Sequence, residues 1–256
     1  MFFSKPMQYK PCGIFSVQHF ILLIVTGVLI YIATIYTDKN NKKGIRKIIR
    51  IATITVWILE IIKIIFNLKI GNGRNLNTYI PLYYCSILLY AGIFSSIGKG
   101  IIKRMGDVFL ATGGIVGGIL FLIFPTTSIT MYPMFHYISI QSFIYHGIML
   151  YLGIIIYKSN YIDLQYRDII YYSSLLFMMC FVAYIVNNNF GSNLMFISRD
   201  FPNTPVGALY RISGKYFTIL ISLIQIFLPF YTVLGIENTI HNIAIKNEEE
   251  IYQTSN

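Results

Sequence analysis

The sequence predicts an all-α protein, a polytopic transmembrane helical bundle with about seven spans. Apolar residues make up 55% of the 256 residues and charged residues only 12%, whereas about a quarter of the residues in a soluble domain are charged. The lysines and arginines are also gathered into short segments between apolar runs of roughly 18 to 22 residues, the length that a helix needs to cross hydrocarbon. Because every spanning segment must satisfy its own backbone hydrogen bonds, these runs are expected to be helices.

Seven apolar runs are the candidate spans. They divide the chain into one transmembrane helical bundle domain, residues 1–236, and a polar cytoplasmic tail, residues 237–256. Paired glycines in the fourth run, Gly113-Gly114 and Gly117-Gly118, predict the close approach of a neighbouring helix. The predicted spans, in chain order, are residues 18–36, 48–66, 79–97, 107–124, 134–157, 169–186 and 215–235.

The charge distribution predicts how the bundle is oriented. Residues 38–47 are the most basic segment, and an excess of Lys and Arg is typical of cytoplasmic loops. Alternation from this loop places the N-terminus outside and the C-terminus inside, so we expect a multi-pass protein of the cell membrane whose partners are membrane lipids. The net charge of +10 does not indicate nucleic acid, because nucleic-acid binding needs a basic face on a folded soluble surface. The sequence leaves the oligomeric state open.

Ionisable side chains occur inside the second predicted span, where a charge costs of order 2.5 to 3.5 kcal/mol. Glu60, Lys63 and Asn67 follow helical spacing on one face, and Glu60 and Lys63 are one turn apart and can pair. The predicted topology puts all three in the outer half of the membrane. They are candidates for binding a polar substrate, and a structural ion pair is the simpler interpretation.

A second polar stripe lies on the fifth predicted span. His136, Ser139, Ser142 and His146 step by three, three and four residues, which places them on one side of a helix. Such a stripe faces protein or water and not lipid. We therefore expect a polar cavity that opens toward the extracytoplasmic leaflet, with His136 near its mouth and His146 near the membrane midplane.

Cys85 is the candidate nucleophile. A cysteine acts as a nucleophile when a nearby base, usually a histidine, generates the thiolate, and either His136 or His146 could be that base. A buried packing residue is the alternative interpretation of the same cysteine. Histidines and carboxylates are too dispersed for a metal-ligand signature, and there is no glycine-rich phosphate loop, so no metal or cofactor is predicted.

A long outer segment, residues 187–214, is predicted to lie beside the mouth of the cavity. Its asparagines and glycine favour turns, and a loop of about 28 residues is long enough to act as a lid. Asn187 and Asn193 of this segment are candidates for substrate contact.

The chain also resembles a known family through four features in order: Ile80-Pro81-Leu82 before Cys85, His146 on the fifth span, Gly191-Ser192-Asn193, and Pro202 before the last span. In that combination it is similar to the bacterial YwaF-like integral membrane proteins, which are grouped with the TMEM164 membrane acyltransferases. The resemblance implies a seven-helix-type membrane fold and acyl transfer onto phospholipids through a cysteine that corresponds to Cys85.

The chain departs from the pattern of that family at two places. Where relatives favour Leu-Pro-Leu-His-Leu-Cys, Tyr83 and Tyr84 precede Cys85, and Phe201-Pro202 replaces Lys-Pro. The first difference removes a histidine from the immediate neighbourhood of the candidate nucleophile.

Three functions fit these observations. The first is a phospholipid acyltransferase in which Cys85 attacks an acyl ester, His146 or His136 moves the proton, and Asn193 or Asn187 polarises the carbonyl. Its donor would be a phospholipid, because an extracytoplasmic site has no ready acyl-CoA. The second is a transporter or small-ligand binding protein in which Glu60, Lys63 and the histidine stripe of the fifth span bind a polar solute or a proton. The third is a noncatalytic accessory subunit whose polar groups only fix the positions of the helices.

Overall fold

The computed structural model describes residues 1–70, 76–201 and 204–254, and this part of the chain is helical, without strands. The prediction of an all-α protein is therefore confirmed. Five stretches are long and apolar enough to cross a membrane: Val17–Ile35, Gly100–Ile123, Tyr137–Lys158, Tyr166–Phe190 and Pro205–Ile240. The α-helices are α1 (Val17–Ile35), α2 (Lys42–Lys69), α3 (Ile87–Ile97), α4 (Gly100–Ala111), α5 (Gly113–Ile123), α6 (Tyr137–Lys158), α7 (Ile169–Phe190), α8 (Pro205–Ser213) and α9 (Phe217–Thr254).

Two of the predicted spans are not continuous helices. The third, residues 79–97, is helical only from Ile87, because Pro81 lacks a backbone N–H and the residues that follow it form turns. The fourth, residues 107–124, is interrupted at Thr112, whose backbone (φ −120°, ψ −79°) separates α4 from α5. Cys85 therefore lies in the turn that leads into α3 and not inside a helix.

Contacts between connecting segments define two ends of the bundle. At the first end, Cys12 N donates to Tyr132 O (3.0 Å), and Asn193 N donates to Asn77 Oδ1 (2.8 Å). Phe3 joins these segments to the end of α2 through its ring contact with Phe66.

The second end is held together by arginines. Arg46 at the start of α2 donates to Gly98 O (2.8 Å), and Arg104 of α4 donates through Nε to Asp168 Oδ1 before α7 (2.8 Å). Asn238 of α9 reaches the same end, where it donates to the Tyr166 hydroxyl (3.0 Å). Successive connecting segments thus alternate between the two ends.

The first helix packs against a helix that is distant in sequence. Thr37 and Tyr151 of α6 share a hydrogen bond of 2.7 Å, and Gly147 of α6 leaves space that the Thr26 methyl fills. His19 is fully buried, and its Nε2 lies 2.9 Å from Leu122 O at the end of α5. Because Phe15 N donates to Nδ1 of the same ring, Nε2 is the nitrogen that donates to Leu122.

The glycines of α5 allow a close contact with α6, as predicted. A Cβ atom added at Gly118 would lie 3.1 Å from Leu150 Cβ and 3.2 Å from His146 O, and one at Gly117 would lie 2.9 Å from Met149 Cε. Helices that meet through glycine bring their backbones close together, and larger side chains at the contact would separate them.

Replacing Gly118 by leucine is expected to lower the free energy of unfolding by about 1 to 3 kcal/mol, because overpacking at a close helix contact forces the backbones apart. The matched control is Gly27→Leu on α1, where an added Cβ has nothing within 4 Å. The measurement is the melting temperature of both purified variants in the same detergent. Equal melting temperatures for the two variants would contradict the assignment of this contact.

Candidate active site

Cys85 is held in place by its backbone as well as by its side chain. The carbonyl of Cys85 accepts hydrogen bonds from Leu88 N (3.1 Å) and from the Tyr145 hydroxyl of α6 (3.2 Å). The partly buried thiol lies 4.0 Å from Gly117 O of α5, to which it donates a weak hydrogen bond. Cys85 therefore faces the contact between α5 and α6.

His146 is buried on α6 with one ring nitrogen occupied and the other unpaired. Its Nδ1 lies 2.7 Å from Ser142 O, and its ring stacks on Phe121 with the ring centroids 3.5 Å apart. A carbonyl can only accept a hydrogen bond, so Nδ1 carries the proton. Nε2 then carries the unprotonated lone pair, and this buried atom has no hydrogen-bond partner among the described residues.

Gly117 and Gly118 of α5, together with Tyr145 of α6, connect Cys85 with His146. Gly117 O contacts the Cys85 thiol, and Gly118, the next residue, packs against His146 O. Tyr145, the neighbour of His146, holds the Cys85 carbonyl. Helices α5 and α6 therefore bring the two candidate groups to one region of the bundle.

The predicted pairing of Glu60 with Lys63 is present, with Lys63 Nζ 2.6 Å from Glu60 Oε1. Glu60 is only 2% exposed, so its charge is removed from solvent and depends on the ammonium group. Asn67, two turns further along α2, donates to Thr78 O (2.6 Å) and fixes the segment that precedes Cys85. Asn67 therefore contributes to the position of the candidate nucleophile through the backbone.

His136 has a different environment from His146. It is the N-cap of α6, where its Nδ1 accepts from Ile138 N (3.1 Å). Nε2 therefore carries the proton, which it donates to Ser4 O (3.1 Å), and the ring stacks on Tyr132. Both nitrogens are occupied, so His136 joins the N-terminal segment to α6 and has no free lone pair for Cys85.

Asn187 and Asn193 organise the connection between α7 and α8. Asn187 is buried and makes four hydrogen bonds, to Ser192, Leu194 (two) and Ser198. Asn193 Oδ1 accepts from the backbone N–H groups of Ser198 and Arg199 (both 3.0 Å).

This connection lies on the segment that carries Cys85. Met195 N donates to Leu82 O (3.0 Å), and the rings of Phe196 and Tyr83 are in contact with their centroids 4.9 Å apart. The long outer segment thus packs on residues 77–83, as a lid would. Pro202, part of the family resemblance, lies outside the described residues.

The structure adds residues that the sequence did not single out. Tyr145 is adjacent to His146, but an apolar run rich in tyrosine gives no signal for the one whose hydroxyl reaches Cys85. Phe121, which stacks on His146, is one of 19 phenylalanines. Only tertiary structure distinguishes either residue from its neighbours of the same type.

Away from Cys85, the described residues form a pocket but no metal site. A pocket of about 450 Å³ is found at the first end, where it is lined mainly by residues of the N-terminal segment, including Lys10 and Cys12. Among the described residues, no group of three or more His, Cys, Asp or Glu side chains is arranged to hold a metal ion. The polar cavity expected near Cys85 stays a prediction.

Comparison with known proteins adds one finding to this geometry. The sequence profile of the TMEM164 family matches residues 14–235, most of the chain. The chain belongs to the TMEM164 family. The match confirms the resemblance to the TMEM164 family and extends it to the first helix, and it includes Cys85, His146 and Asn187. No curated protein and no solved structure matches the chain, so membership of the TMEM164 family is what the comparisons establish.

Proposed function

We propose that this TMEM164-family protein is a cysteine-dependent phospholipid acyltransferase that crosses the cell membrane seven times, with the N-terminus outside and the C-terminus inside. In this topology the crossings are α1, α2, α3 together with the turns that precede it, α4 with α5, α6, α7 and α9. The alternation of connecting segments between the two ends supports it, and the basic residues 38–47 at the second end favour a cytoplasmic position for that end. Cys85 then belongs to the extracytoplasmic side of a polar cavity.

The observation that carries the proposal is the orientation of His146. Its Nδ1–H is fixed on Ser142 O, so the unpaired Nε2 is available to accept a proton inside a buried site. A histidine oriented through one nitrogen and free at the other is the arrangement that activates a nucleophile. His146 takes this role in the proposal because both nitrogens of His136 are occupied.

The proposed reaction has two steps. In the first, His146 accepts the Cys85 thiol proton, the sulfur attacks the ester carbonyl of a phospholipid, and the lysophospholipid leaves with the proton from His146. In the second, the hydroxyl of an acceptor lysophospholipid loses its proton to His146 and attacks the thioester, which returns the acyl chain to an ester and the proton to Cys85.

The intermediate of this reaction can be tested directly. Purified protein incubated with phosphatidylcholine that carries a labelled acyl chain is expected to gain the label on Cys85, in a thioester that neutral hydroxylamine removes. Mass spectrometry of the proteolytic peptide that contains Cys85 measures the label.

The matched controls are two cysteine variants. Cys85→Ala should abolish labelling, whereas Cys180→Ala, which changes a buried cysteine of α7, should retain it. Labelling that persists in Cys85→Ala would rule out Cys85 as the nucleophile. Wild-type protein that is never labelled, while it remains folded and reconstituted, would count against acyl transfer itself.

The ion pair of buried Glu60 with partly exposed Lys63 supports transport as a second candidate function, because charged groups at membrane depth often mark ion or substrate pathways. If the protein is a transporter, Glu60→Gln should abolish proton-coupled uptake of its polar solute into proteoliposomes, whereas Cys85→Ala should leave this uptake unchanged. The acyltransferase proposal predicts instead that Cys85→Ala abolishes the measured activity, which is acyl transfer.

A further inference from the structure

The short helix α8 has an outer face that the rest of the described protein does not cover. Thr204 caps the helix by accepting from Gly207 N (3.2 Å), and Pro205 occupies its first turn. Gly207 is buried against Phe201 O, so one face of the helix is fixed to the protein. On the opposite side Ile212 is 84% exposed, the largest exposure among the exposed apolar residues of α8 and its flanks.

The length and the end of α8 prevent it from crossing the membrane. Nine residues extend only about 13 Å. Gly214 then turns the chain with φ +51°, a conformation that favours glycine, before α9 begins. In the seven-crossing topology α8 is therefore located at the membrane surface, at the first end of the bundle.

Cationic and aromatic residues surround Ile212 on this surface. Arg211, Lys215 and Tyr216 are exposed, and neither Arg211 nor Lys215 takes part in the ion pairs formed by the described residues. A helix surface that combines exposed apolar, aromatic and cationic side chains matches the boundary between lipid headgroups and acyl chains. Exposure of Ile212 to water is unfavourable, and burial of Arg211 and Lys215 in hydrocarbon is also unfavourable.

The geometry points to the last turn of α8 and the segment after it, residues 210–216, as an interfacial anchor that binds anionic phospholipid headgroups at the first end of the bundle. Ile212 and Tyr216 enter the upper acyl-chain region, and Arg211 and Lys215 contact lipid phosphates. This inference rests on the topology in the proposed function and is independent of the chemistry at Cys85.

The anchor is connected to the segment that carries Cys85. The rings of Phe201 and Phe196 lie 4.7 Å apart, and Phe196 in turn contacts Tyr83. Gly207 of α8 packs on Phe201. The position of α8 at the membrane surface thereby sets the position of the lid segment that packs beside the candidate nucleophile.

Depth-dependent fluorescence quenching tests the anchor. Trp57 is the single tryptophan, so Ile212→Trp in a Trp57→Phe background reports only on α8. Reconstituted into phosphatidylcholine vesicles, this variant is expected to show blue-shifted emission that lipids brominated near the headgroup quench more strongly than lipids brominated near the chain ends. If Trp57→Phe lowers the yield of purified protein, Trp57 is retained. Its emission, measured in the wild-type protein, is then subtracted from the emission of the Ile212→Trp variant.

Leu228→Trp in α9 is the matched probe, since Leu228 is 60% exposed in the middle of a proposed crossing. It should be quenched most strongly by lipids brominated near the chain ends. If Leu228→Trp behaves so and Ile212→Trp is not quenched, the topology stands and the anchor is overturned, as it would be if a second copy of the chain covered Ile212. If Leu228→Trp escapes quenching, the seven-crossing topology itself is wrong.

The headgroup contact has a separate measurement. A small fraction of brominated phosphatidylglycerol in phosphatidylcholine reports, through quenching of the Ile212→Trp probe, how strongly the anionic lipid is enriched beside α8. Adding Arg211→Gln/Lys215→Gln to the probe variant should lower this enrichment by at least about fivefold, since each cation near a membrane surface contributes about 1 kcal/mol. Lys5→Gln/Lys10→Gln removes the same charge from the same end and should leave the enrichment unchanged. Equal effects of the two double variants would show general charge attraction and overturn the headgroup site.

Discussion

Replacing His146 by glutamine is expected to lower the rate of phospholipid acyl transfer by about 10²- to 10⁴-fold, the usual contribution of a general base. Glutamine retains a polar group of similar size but cannot accept and return a proton at neutral pH. The reaction needs both proton movements, one from Cys85 and one from the acceptor hydroxyl. The rate with labelled phospholipid donor and lysophospholipid acceptor, measured in proteoliposomes, is the direct test.

The matched control is His136→Gln. The ring of His136 joins the N-terminal segment to the start of α6, with both nitrogens occupied, so its loss is expected to lower the melting temperature and to leave the transfer rate within a few-fold of wild type. A large loss of rate in His136→Gln, with His146→Gln active, would reverse the assignment of the two histidines.

Replacing Asn187 by alanine is expected to lower the free energy of unfolding by about 3 to 5 kcal/mol, because breaking a buried hydrogen-bond network leaves several polar groups unpaired. The Asn187 amide is 4% exposed and serves as both donor and acceptor for the connection between α7 and α8. Its loss should release the segment that packs on Leu82. Thermal unfolding of the purified variant measures the effect.

Asn189→Ala is the control, because Asn189 is exposed and its side-chain amide donates only to Ile185 O, within α7. The control should melt within a degree or two of wild type. A role of Asn187 in substrate contact would have another signature, in which the KM for the phospholipid rises while the melting temperature of Asn187→Ala stays at the wild-type value.

Much of the fold could be predicted from the sequence because hydrophobic length and glycine pairs are local signals. The helices, the Glu60–Lys63 pair and the close approach of some helix to Gly118 follow from spacing along one helix at a time, whereas the identity of that helix, α6, does not. The interruption at Thr112 carries no such signal, since threonine is common within apolar helices. The late start of α3 follows Pro81, which is also tolerated in the first turn of a helix.

The candidate site was less predictable because it depends on how helices are positioned against one another. Helical spacing points to both histidines and the family resemblance points to Cys85, but neither tells which ring nitrogen is free, because that depends on Ser142 O beside one ring and Ser4 O beside the other. Similarly, Asn187 was a reasonable candidate for substrate contact as an outer polar residue. Its partners, which lie in the turn after α7, became visible only with the fold.

The packing of α1 against α6 has a consequence for how the protein is made. Thr37 and Tyr151 are hydrogen-bonded, and more than a hundred residues separate them in the chain, so α1 is synthesised and released into the bilayer long before its partner exists. During this interval lipid is its only neighbour on most sides, which suits its strongly apolar surface. The N-terminal segment therefore cannot bind Tyr132, and the first end of the bundle cannot close, until the ribosome has synthesised the segment between α5 and α6.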